Sequence, residues 1–222
     1  MRILVTGGAG FVGSHSIERL LAAGHTVTAF DNLSTGKPSN LDGLDVTLIE
    51  GDIRDMEILE ETLSEGYDAV LHLAAVVSVP LSVADPIGSH ETNTRGTLNV
   101  LEAARRNGVK RVVHASSAAV YGELVPPLHE RMLLEPLSPY AAQKLQNEID
   151  AGVYSRLYGI DTVSLRYFNI FGPRQDPKSP YSGVLSIFID ALAEGRRPTI
   201  FGDGLQTRDF VYVGDVAQAN LH

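Results

Sequence analysis

Short apolar runs alternate with segments of helical periodicity along most of this 222-residue chain. The runs predict buried strands, and the three- and four-residue spacing between them is typical of amphipathic helices. Predicted strands cover residues 2–6, 26–30, 46–50, 69–73, 111–115 and 162–167. Predicted helices cover residues 11–23, 56–63, 93–107, 139–158 and 184–194.

This alternation predicts an α/β protein with a doubly wound, Rossmann-like parallel sheet, because the strands are apolar on both faces. Proline and glycine become frequent after residue 171, so we predict a sheet domain over residues 1–170 and a smaller, partial second lobe over residues 171–222. Residues 210–222 are expected to return to the sheet domain. Asp215 is the predicted N-cap of a last helix over residues 216–222. That helix lacks a stop signal, so we interpret the chain as cut short; a frayed last turn is the alternative.

Composition narrows the class of protein. A hydrophobic content of 44% and a charged content of 20% are typical of a soluble globular protein, and a net charge of −9 disfavours nucleic-acid binding. The absence of cysteine excludes disulfides and thiolate chemistry. No apolar run approaches the roughly 20 residues that span a bilayer. We therefore expect a cytoplasmic protein without nucleic-acid or membrane partners.

Three glycines, Gly7, Gly10 and Gly13, lie between the first predicted strand and the first predicted helix. Glycines in that context let the backbone approach a pyrophosphate at a helix N-terminus. Asp31 ends the second predicted strand, where a carboxylate accepts hydrogen bonds from an adenosine ribose and repels a 2′-phosphate. The pattern predicts NAD rather than NADP. A turn without ligand and a capping aspartate are the alternatives.

Small and polar residues follow the third and fourth predicted strands. Ligands of doubly wound sheets bind at the carboxyl ends of the strands. We therefore predict Asp52 and Ile53 at the adenine edge and Ala74 and Ala75 beneath the dinucleotide.

Tyr140 and Lys144 are four residues apart and share one face of a predicted helix. A nearby lysine cation stabilises a phenolate, which lowers the tyrosine pKa from its ordinary value of about 10. Pro139 sets Tyr140 at the helix start, and Ser117 follows the fifth predicted strand. The pattern predicts a site where a nicotinamide takes a hydride from an alcohol while Tyr140 takes the proton. Ordinary core packing is the alternative for Tyr140.

The glycine turn, Asp31, Ser117 with residues 120–122 (VYG), and the Tyr140/Lys144 pair together resemble the extended short-chain dehydrogenase/reductase family. Residues 31–36 (DNLSTG), 165–169 (LRYFN) and 207–211 (TRDFV) resemble its NAD-dependent nucleotide-sugar epimerases, in particular the UDP-glucose and UDP-N-acetylglucosamine 4-epimerases. Residues 78–80 (SVP) and 174–177 (RQDP) are similar to the branch that accepts UDP-N-acetylhexosamines as well as UDP-hexoses.

The resemblance implies roles for individual residues. Ser117 would hydrogen-bond the sugar hydroxyl at carbon 4, Tyr140 would be the base, and Lys144 would hold the nicotinamide ribose and lower the tyrosine pKa. Asn169 and Arg208 would bind the UDP phosphates, with a surface ion pair as the alternative for Arg208. The predicted substrate site also includes Ser78. The remaining predicted cofactor-binding residues are Phe11, Val12, Asn32, Ser34, Thr35, Gly36, Leu73, Asn93, Ser116, Tyr167 and Phe168.

Dehydratases and decarboxylases of this family resemble one another in an acidic residue just after the serine or threonine. Ala118 and Ala119 stand there in this chain, which weighs against both reactions. The resemblance thus implies a UDP-sugar 4-epimerase, an isomerase that retains NAD and forms a transient 4-keto sugar. Another nucleotide-sugar epimerase or reductase is an alternative, as is a cofactor-binding fragment without turnover. If the chain is cut short, we expect NAD binding to survive and turnover to be weak or absent.

The resemblance also implies a homodimer that pairs the helices predicted over residues 93–107 and 139–158. Val153 and Leu157 are candidates to face the partner. The histidines show no ligand spacing, so we expect no metal.

Overall fold

The computed structural model describes residues 1–177, 183–200 and 202–222. Its main feature is a six-stranded parallel sheet in the order β3-β2-β1-β4-β5-β6. The strands are β1 (Arg2–Thr6), β2 (Thr26–Asp31), β3 (Thr47–Glu50), β4 (Ala69–His72), β5 (Arg111–Ser117) and β6 (Asp161–Tyr167). The predicted doubly wound parallel sheet is confirmed.

Eight α-helices lie within the described part of the chain. They are α1 (Phe11–Ala22), α2 (Met56–Ser64), α3 (Val79–Ala84), α4 (Pro86–His90), α5 (Gly96–Arg106), α6 (Pro139–Tyr158), α7 (Val184–Ala193) and α8 (Val213–Leu221). A π-helical turn, Glu91–Arg95, joins α4 to α5, and short 3-10 turns cover Pro38–Leu41 and Ala118–Tyr121.

The longest helix, α6, begins and ends on local signals. Ser138 is its N-cap and accepts a hydrogen bond from Ala141 N at 3.2 Å, and Pro139 takes the first helical position. Gly159 ends the helix at φ +70°, a left-handed conformation that favours glycine. These signals are sequence-local, which explains why the predicted bounds of this helix are confirmed.

Two apolar layers cover the sheet because successive strand residues point to opposite faces. One layer packs α2, α5 and α6 against the sheet, and the other packs α1. Members of the first include Leu4, Phe30, Leu59, Val100, Val112 and Ala151, and members of the second include Ile3, Val5, Ile17, Leu20, Val27 and Leu71.

The last helix, α8, packs on α1. Asn220 Nδ2 donates to Ser16 Oγ at 2.9 Å, and its Oδ1 accepts a hydrogen bond from the Tyr167 hydroxyl. Before α8, the strands β7 (Asn169–Phe171) and β8 (Phe210–Tyr212) form a separate two-stranded parallel sheet. The predicted second lobe also contains residues 178–182 and 201, which lie outside the described ranges.

Several local predictions differ from the structure. Asp215 is not an N-cap: α8 begins at Val213, directly after β8, and Asp215 lies in its first turn. The helical run predicted to begin at residue 93 begins earlier, at Pro86, and continues through the π-helical turn into α5. Asp85 is the N-cap of this run, and its Oδ1 accepts from Gly88 N at 2.9 Å. The short elements α3, α4, β7 and β8 lack enough periodicity to be predicted.

Candidate active site

The glycine turn leaves an open helix end after β1. Gly7 has φ +70°, and a Cβ there would lie 2.8 Å from Ala74 N; a Cβ on Gly13 would lie 2.1 Å from Gly7 O. Helix α1 begins at Phe11 with Gly10 as N-cap, without a side-chain cap and without an acidic residue in its first turn. The unpaired amides and the positive end of the helix dipole therefore fit a pyrophosphate.

Asp31 joins the end of β2 to the glycine turn. Its carboxylate is buried and accepts hydrogen bonds from Ala9 N at 3.0 Å and Leu33 N at 2.9 Å. Burial raises the Asp31 pKa, and the two backbone bonds oppose that rise. Gly36 packs on the carboxylate so closely that a Cβ would lie 2.8 Å from its oxygens. The carboxyl end of β2, its following loop and the glycine turn therefore form one unit.

A second acidic group stands at the end of β3. Asp52 accepts hydrogen bonds from Arg54 Nε at 2.9 Å and Arg54 NH2 at 2.7 Å, and these hold its pKa well below its ordinary value. Asn32 Nδ2 also donates to it at 2.9 Å. Asn32 Oδ1 in turn accepts from Ser34 N at 3.1 Å. The structure thus brings four predicted cofactor residues, Asn32, Ser34, Asp52 and the adjoining Ile53, to one corner of the sheet.

The Asn93 side chain binds the backbone of the segment that follows β4. Its Oδ1 accepts from Val76 N at 2.8 Å, and its Nδ2 donates to Val76 O at 2.9 Å and to Gln143 Oε1 at 2.8 Å. The side chain is fully buried, so it holds the chain that follows Ala74 and Ala75 rather than lining an open surface. The structure places the other predicted cofactor residues at the starts of helices or ends of strands: Phe11 and Val12 in α1, Thr35 after β2, Leu73 after β4, and Tyr167 and Phe168 at the end of β6.

Ser117, Tyr140 and Lys144 meet at the carboxyl end of β5. Ser117 ends the strand, and its Oγ accepts from Ala119 N at 3.2 Å. Tyr140 is buried in the first turn of α6, where its backbone N donates to Ser82 Oγ at 3.1 Å. Lys144 follows one turn later; its Nζ donates to Ala115 O at 2.9 Å and lies 5.8 Å from the centre of the Tyr140 ring.

Burial dominates the electrostatics of this trio. It lowers the pKa of Lys144 to about 8 and raises the pKa of Tyr140; the nearby Ser117 hydroxyl opposes the rise for Tyr140. Desolvation disfavours the charged form of each group, which explains both directions. The lowering of the tyrosine pKa by Lys144 stays a prediction.

Two buried histidines lie beneath Lys144. His72 contacts Thr6 Oγ1 at 2.7 Å and Thr97 Oγ1 at 2.9 Å, and His114 contacts Ser164 Oγ at 2.6 Å. Burial lowers the pKa of His72 well below its ordinary value and that of His114 to about 4, and the charge of Lys144 lowers both further. Both imidazoles are therefore neutral at pH 7, which preserves the positive charge of the site on Lys144.

The predicted substrate residues occupy two places. β7 and β8 bring Asn169 and Arg208 to one exposed edge, where Asn169 Nδ2 donates to Asp209 O at 3.1 Å and Arg208 donates to Thr207 O at 2.7 Å. Ser78, by contrast, is buried and caps α3 by accepting from Leu81 N at 3.0 Å.

Residues that the sequence analysis missed form the supports of the trio. The Ser82 hydroxyl accepts a hydrogen bond from the backbone N of Tyr140. Glu148 forms an ion pair with Arg166 and accepts a hydrogen bond from the Ser116 hydroxyl. Glu148 stands four residues after Lys144 on the same helix face, and this spacing is the signal that was available.

Within the described residues, no three His, Cys, Asp or Glu side chains are gathered so as to hold a metal ion. None of the described helices is long and apolar enough to cross a membrane.

A glycine turn at an open helix end and a buried Tyr–Lys pair on one parallel sheet define a dinucleotide-binding protein of the short-chain dehydrogenase/reductase type. Residues 3–222 match the model of the NAD dependent epimerase/dehydratase family, and the chain belongs to this family.

Individual relatives agree with this assignment. The chain is 46% identical over 221 residues to a putative UDP-glucose 4-epimerase of Methanocaldococcus jannaschii, covering 99% of this chain and 72% of the relative. The UDP-N-acetylglucosamine 4-epimerase of Methanobrevibacter ruminantium superposes with a TM-score of 0.94 at 46% identity, covering 99% of this chain and 71% of that one. The UDP-glucose 4-epimerase of Thermus thermophilus, solved with NAD, superposes with a TM-score of 0.93 at 45% identity, covering 100% of this chain and 73% of that one.

Proposed function

We propose that this protein is an NAD-dependent UDP-sugar 4-epimerase that acts through a transient 4-keto sugar. The observation that carries the proposal is the convergence of Ser117, Tyr140 and Lys144 at the carboxyl end of β5. They lie on the same sheet edge as the glycine turn. Relatives named UDP-glucose and UDP-N-acetylglucosamine 4-epimerases point to the same reaction.

The residues present fit NAD. The open amide end of α1 suits the pyrophosphate, Asp31 suits the adenosine ribose, and Asn32 with Asp52 suits the adenine edge. When bound, NAD supplies the hydride acceptor and donor, and its nicotinamide carries a positive charge. We propose that the protein retains the cofactor between turnovers, because an epimerisation needs no net oxidation.

Within this proposal, the chain supplies the proton chemistry. Ser117 Oγ holds the hydroxyl at carbon 4, and the Tyr140 oxygen accepts its proton as the hydride leaves. Lys144 holds the nicotinamide ribose and keeps a positive charge beside the phenol. Burial raises the pKa of the Tyr140 phenol, and the Ser117 hydroxyl and the Lys144 cation would favour its phenolate form.

The turn after Ser117 argues for epimerisation over the dehydration that the family name also includes. The 3-10 turn Ala118–Tyr121 presents Ala118 and Ala119 directly after the serine, and neither side chain can transfer a proton. Proton removal beyond carbon 4 therefore lacks an acid or base at this position.

We propose UDP-hexoses and UDP-N-acetylhexosamines as substrates, in a cytoplasmic protein. Asn169 and Arg208 share the exposed edge formed by β7 and β8. An arginine and an amide placed side by side suit a diphosphate.

We further propose a homodimer in which α5 and α6 pack on the same helices of a second copy. Ile149, Val153 and Leu157 recur every four residues along α6, and Leu157 is 70% exposed. Leu98 on the neighbouring α5 is also exposed. An apolar stripe of this kind is typical of helix–helix interfaces.

The test of the enzymatic proposal is to incubate the purified protein with UDP-glucose and, separately, with UDP-N-acetylglucosamine, without added cofactor and then with NAD. The anomeric protons are followed by NMR and reduced cofactor by absorbance. The expected result is the galacto product with no net reduced cofactor. A net accumulation of reduced cofactor, or a dehydrated or decarboxylated product, contradicts the proposal.

A further inference from the structure

A partly buried ion pair lies behind β5. Glu148 follows Tyr140 and Lys144 by eight and four residues on α6, and it binds Arg166 of β6 in a bidentate manner. Arg166 Nε lies 2.9 Å from Oε1 and NH2 lies 2.7 Å from Oε2. The side chains of Arg166 and Glu148 are only 17% and 13% exposed. A fork-shaped pair of this geometry fixes orientation as well as distance.

The pair reaches both flanks of Ser117. On one side, the Ser116 hydroxyl donates to Glu148 Oε1. On the other side, Arg166 NH1 donates to the Tyr121 hydroxyl at 2.9 Å, and Tyr121 ends the 3-10 turn that Ser117 caps. Ser117 therefore lies between Ser116, which is bonded to the Glu148 carboxylate, and the 3-10 turn. The last residue of that turn, Tyr121, is bonded to the Arg166 guanidinium.

We infer that Glu148 is a positioning residue that, through Arg166 and Ser116, holds the Ser117 hydroxyl against the Tyr140 oxygen. This inference rests on the proposed function, in which Ser117 and Tyr140 share the proton chemistry. A shift of about 1 Å in a positioned group can cost roughly a hundredfold in rate, so a rigid frame around Ser117 has a direct catalytic value.

A second ion pair, at the other end of β5 and β6, provides the control for the Glu148–Arg166 pair. Ser116 lies opposite Arg166 in the register of β5 and β6, and at the other end of the same two strands Arg111 lies opposite Asp161. Arg111 and Asp161 also form an ion pair, but an exposed one far from the trio. Asp161 is therefore a matched control, because it joins the same strands without touching Ser117.

The first readout is the ionisation of Tyr140 in the protein without substrate. It is measured as the phenolate absorbance of each variant minus that of the same variant carrying Tyr140→Phe. The charged and polar groups near Tyr140 are Lys144 on its own helix, Ser117 on β5 and Ser82 on α3, and the charge of Lys144 in turn acts on His72 and His114. None of these is changed in Glu148→Gln, Arg166→Lys or Asp161→Asn.

In Glu148→Gln the Ser117 hydroxyl is released, so we expect the Tyr140 pKa to rise. Loss of a negative charge acting only through space would lower it, so the sign separates the two explanations. Arg166→Lys, which loses the bidentate geometry but keeps the charge, is expected to raise it as well. In the control Asp161→Asn, the Tyr140 pKa is expected to stay the same.

The second readout is steady-state kinetics. Glu148→Gln is expected to lower kcat by roughly tenfold with KM within about twofold, because Ser117 acts in the transition state. Glu148→Asp, which keeps the charge, is expected to recover part of the loss and serves as the substitute if Glu148→Gln does not fold. A Tyr140 pKa that is unchanged or lowered in the Glu148 variant, or equal effects in Asp161→Asn, overturns the inference. The tyrosine titration does not require turnover, so it remains decisive if the wild-type protein fails to epimerise.

Discussion

Lys144 is 4% exposed and donates to one backbone carbonyl, and Tyr140 is 8% exposed beside it. Each side chain has exchanged water for a low-dielectric surrounding, which disfavours the charged form of both. The pKa of Lys144 falls to about 8 and that of Tyr140 rises. At the scale of single residues, burial therefore sets the direction of both pKa shifts.

Tyr140→Phe removes the proposed base while keeping the ring. We expect epimerisation to fall by roughly a hundredfold to ten-thousandfold, because a positioned base contributes that much. NAD binding, measured by fluorescence titration, should stay within a few-fold. Tyr158→Phe on the exposed end of the same helix is the control and should change neither quantity. Retention of near wild-type turnover by Tyr140→Phe would assign the base elsewhere.

Lys144 should also leave a mark on stability. Its pKa is lowered from its ordinary value of 10.5, so the unfolded chain binds this proton more tightly and folding is penalised at neutral pH. The penalty is fully present below about pH 8 and disappears above the unfolded value. Relative to Lys144→Met, the wild-type free energy of unfolding should therefore gain roughly 2 kcal/mol between about pH 7 and about pH 10. Urea unfolding of both proteins measures this; parallel pH curves contradict it.

At the scale of elements, the starts and ends of helices determine where chemistry can occur. Helix α1 begins at an uncapped glycine turn, whereas α6 begins with a serine cap and a second anchor from Ser82. The first helix therefore exposes amides that suit a ligand, and the second holds a side chain in place. The π-helical turn Glu91–Arg95 places Asn93 where it reaches both the β4 loop and α6.

Gly13→Ala tests the first of these helix starts. Its Cβ would lie 2.1 Å from Gly7 O, so the turn must open. We expect a loss of roughly 2 kcal/mol or more in unfolding free energy, together with weakened NAD binding. Gly152→Ala in the interior of α6, where the nearest atom is Arg156 NH1 at 3.5 Å, should instead stabilise the protein by about 0.5 kcal/mol. Thermal unfolding compares the two, and equal effects would show that the close contact is not decisive.

Asn220→Ala tests the docking of α8. It removes the acceptor of the Tyr167 hydroxyl and a donor to Ser16 Oγ, which keeps its own hydrogen bond to Val12 O at 2.9 Å. Leaving buried polar groups unpaired costs about 1–3 kcal/mol, so we expect a loss of that size in urea unfolding. Gln218→Ala on the same helix, whose side chain contacts the terminal His222, should cost little. Since alanine has the highest helix propensity, propensity cannot cause a loss in either variant. A loss of similar size in both would mean that the buried hydrogen bonds of Asn220 are not what secures α8.

At the scale of the whole molecule, the sheet gathers residues that are far apart in the chain onto one edge. β1 to β5 end in the glycine turn, Asp31, Asp52, the alanines after β4 and Ser117. Helices cover both faces of the sheet, and that leaves the carboxyl edge as the place for a dinucleotide. The outer face of α6 keeps its apolar stripe free for the proposed second copy.

Leu157→Glu tests the proposed dimer. A charge within an apolar helix interface disfavours association, so we expect a monomer by light scattering at concentrations where the wild-type protein is dimeric. Leu133→Glu changes a leucine of comparable exposure outside the stripe and should leave the mass unchanged. A monomeric wild-type protein would refute the proposed dimer.

Features that depend on near neighbours in the chain could be predicted from the sequence. Apolar periodicity placed the strands and helices of the parallel sheet to within about three residues, and the Ser138, Pro139 and Gly159 signals defined α6, because caps and spacing act over one or two turns. The motifs likewise identified the family.

Features that depend on burial and on distant partners became visible in the fold alone. Burial raises the pKa of Tyr140, and desolvation is a property of the packed surroundings that the Tyr–Lys spacing does not contain. The fold also pairs Glu148 with Arg166 and seats α8 on α1, contacts that no local pattern specifies.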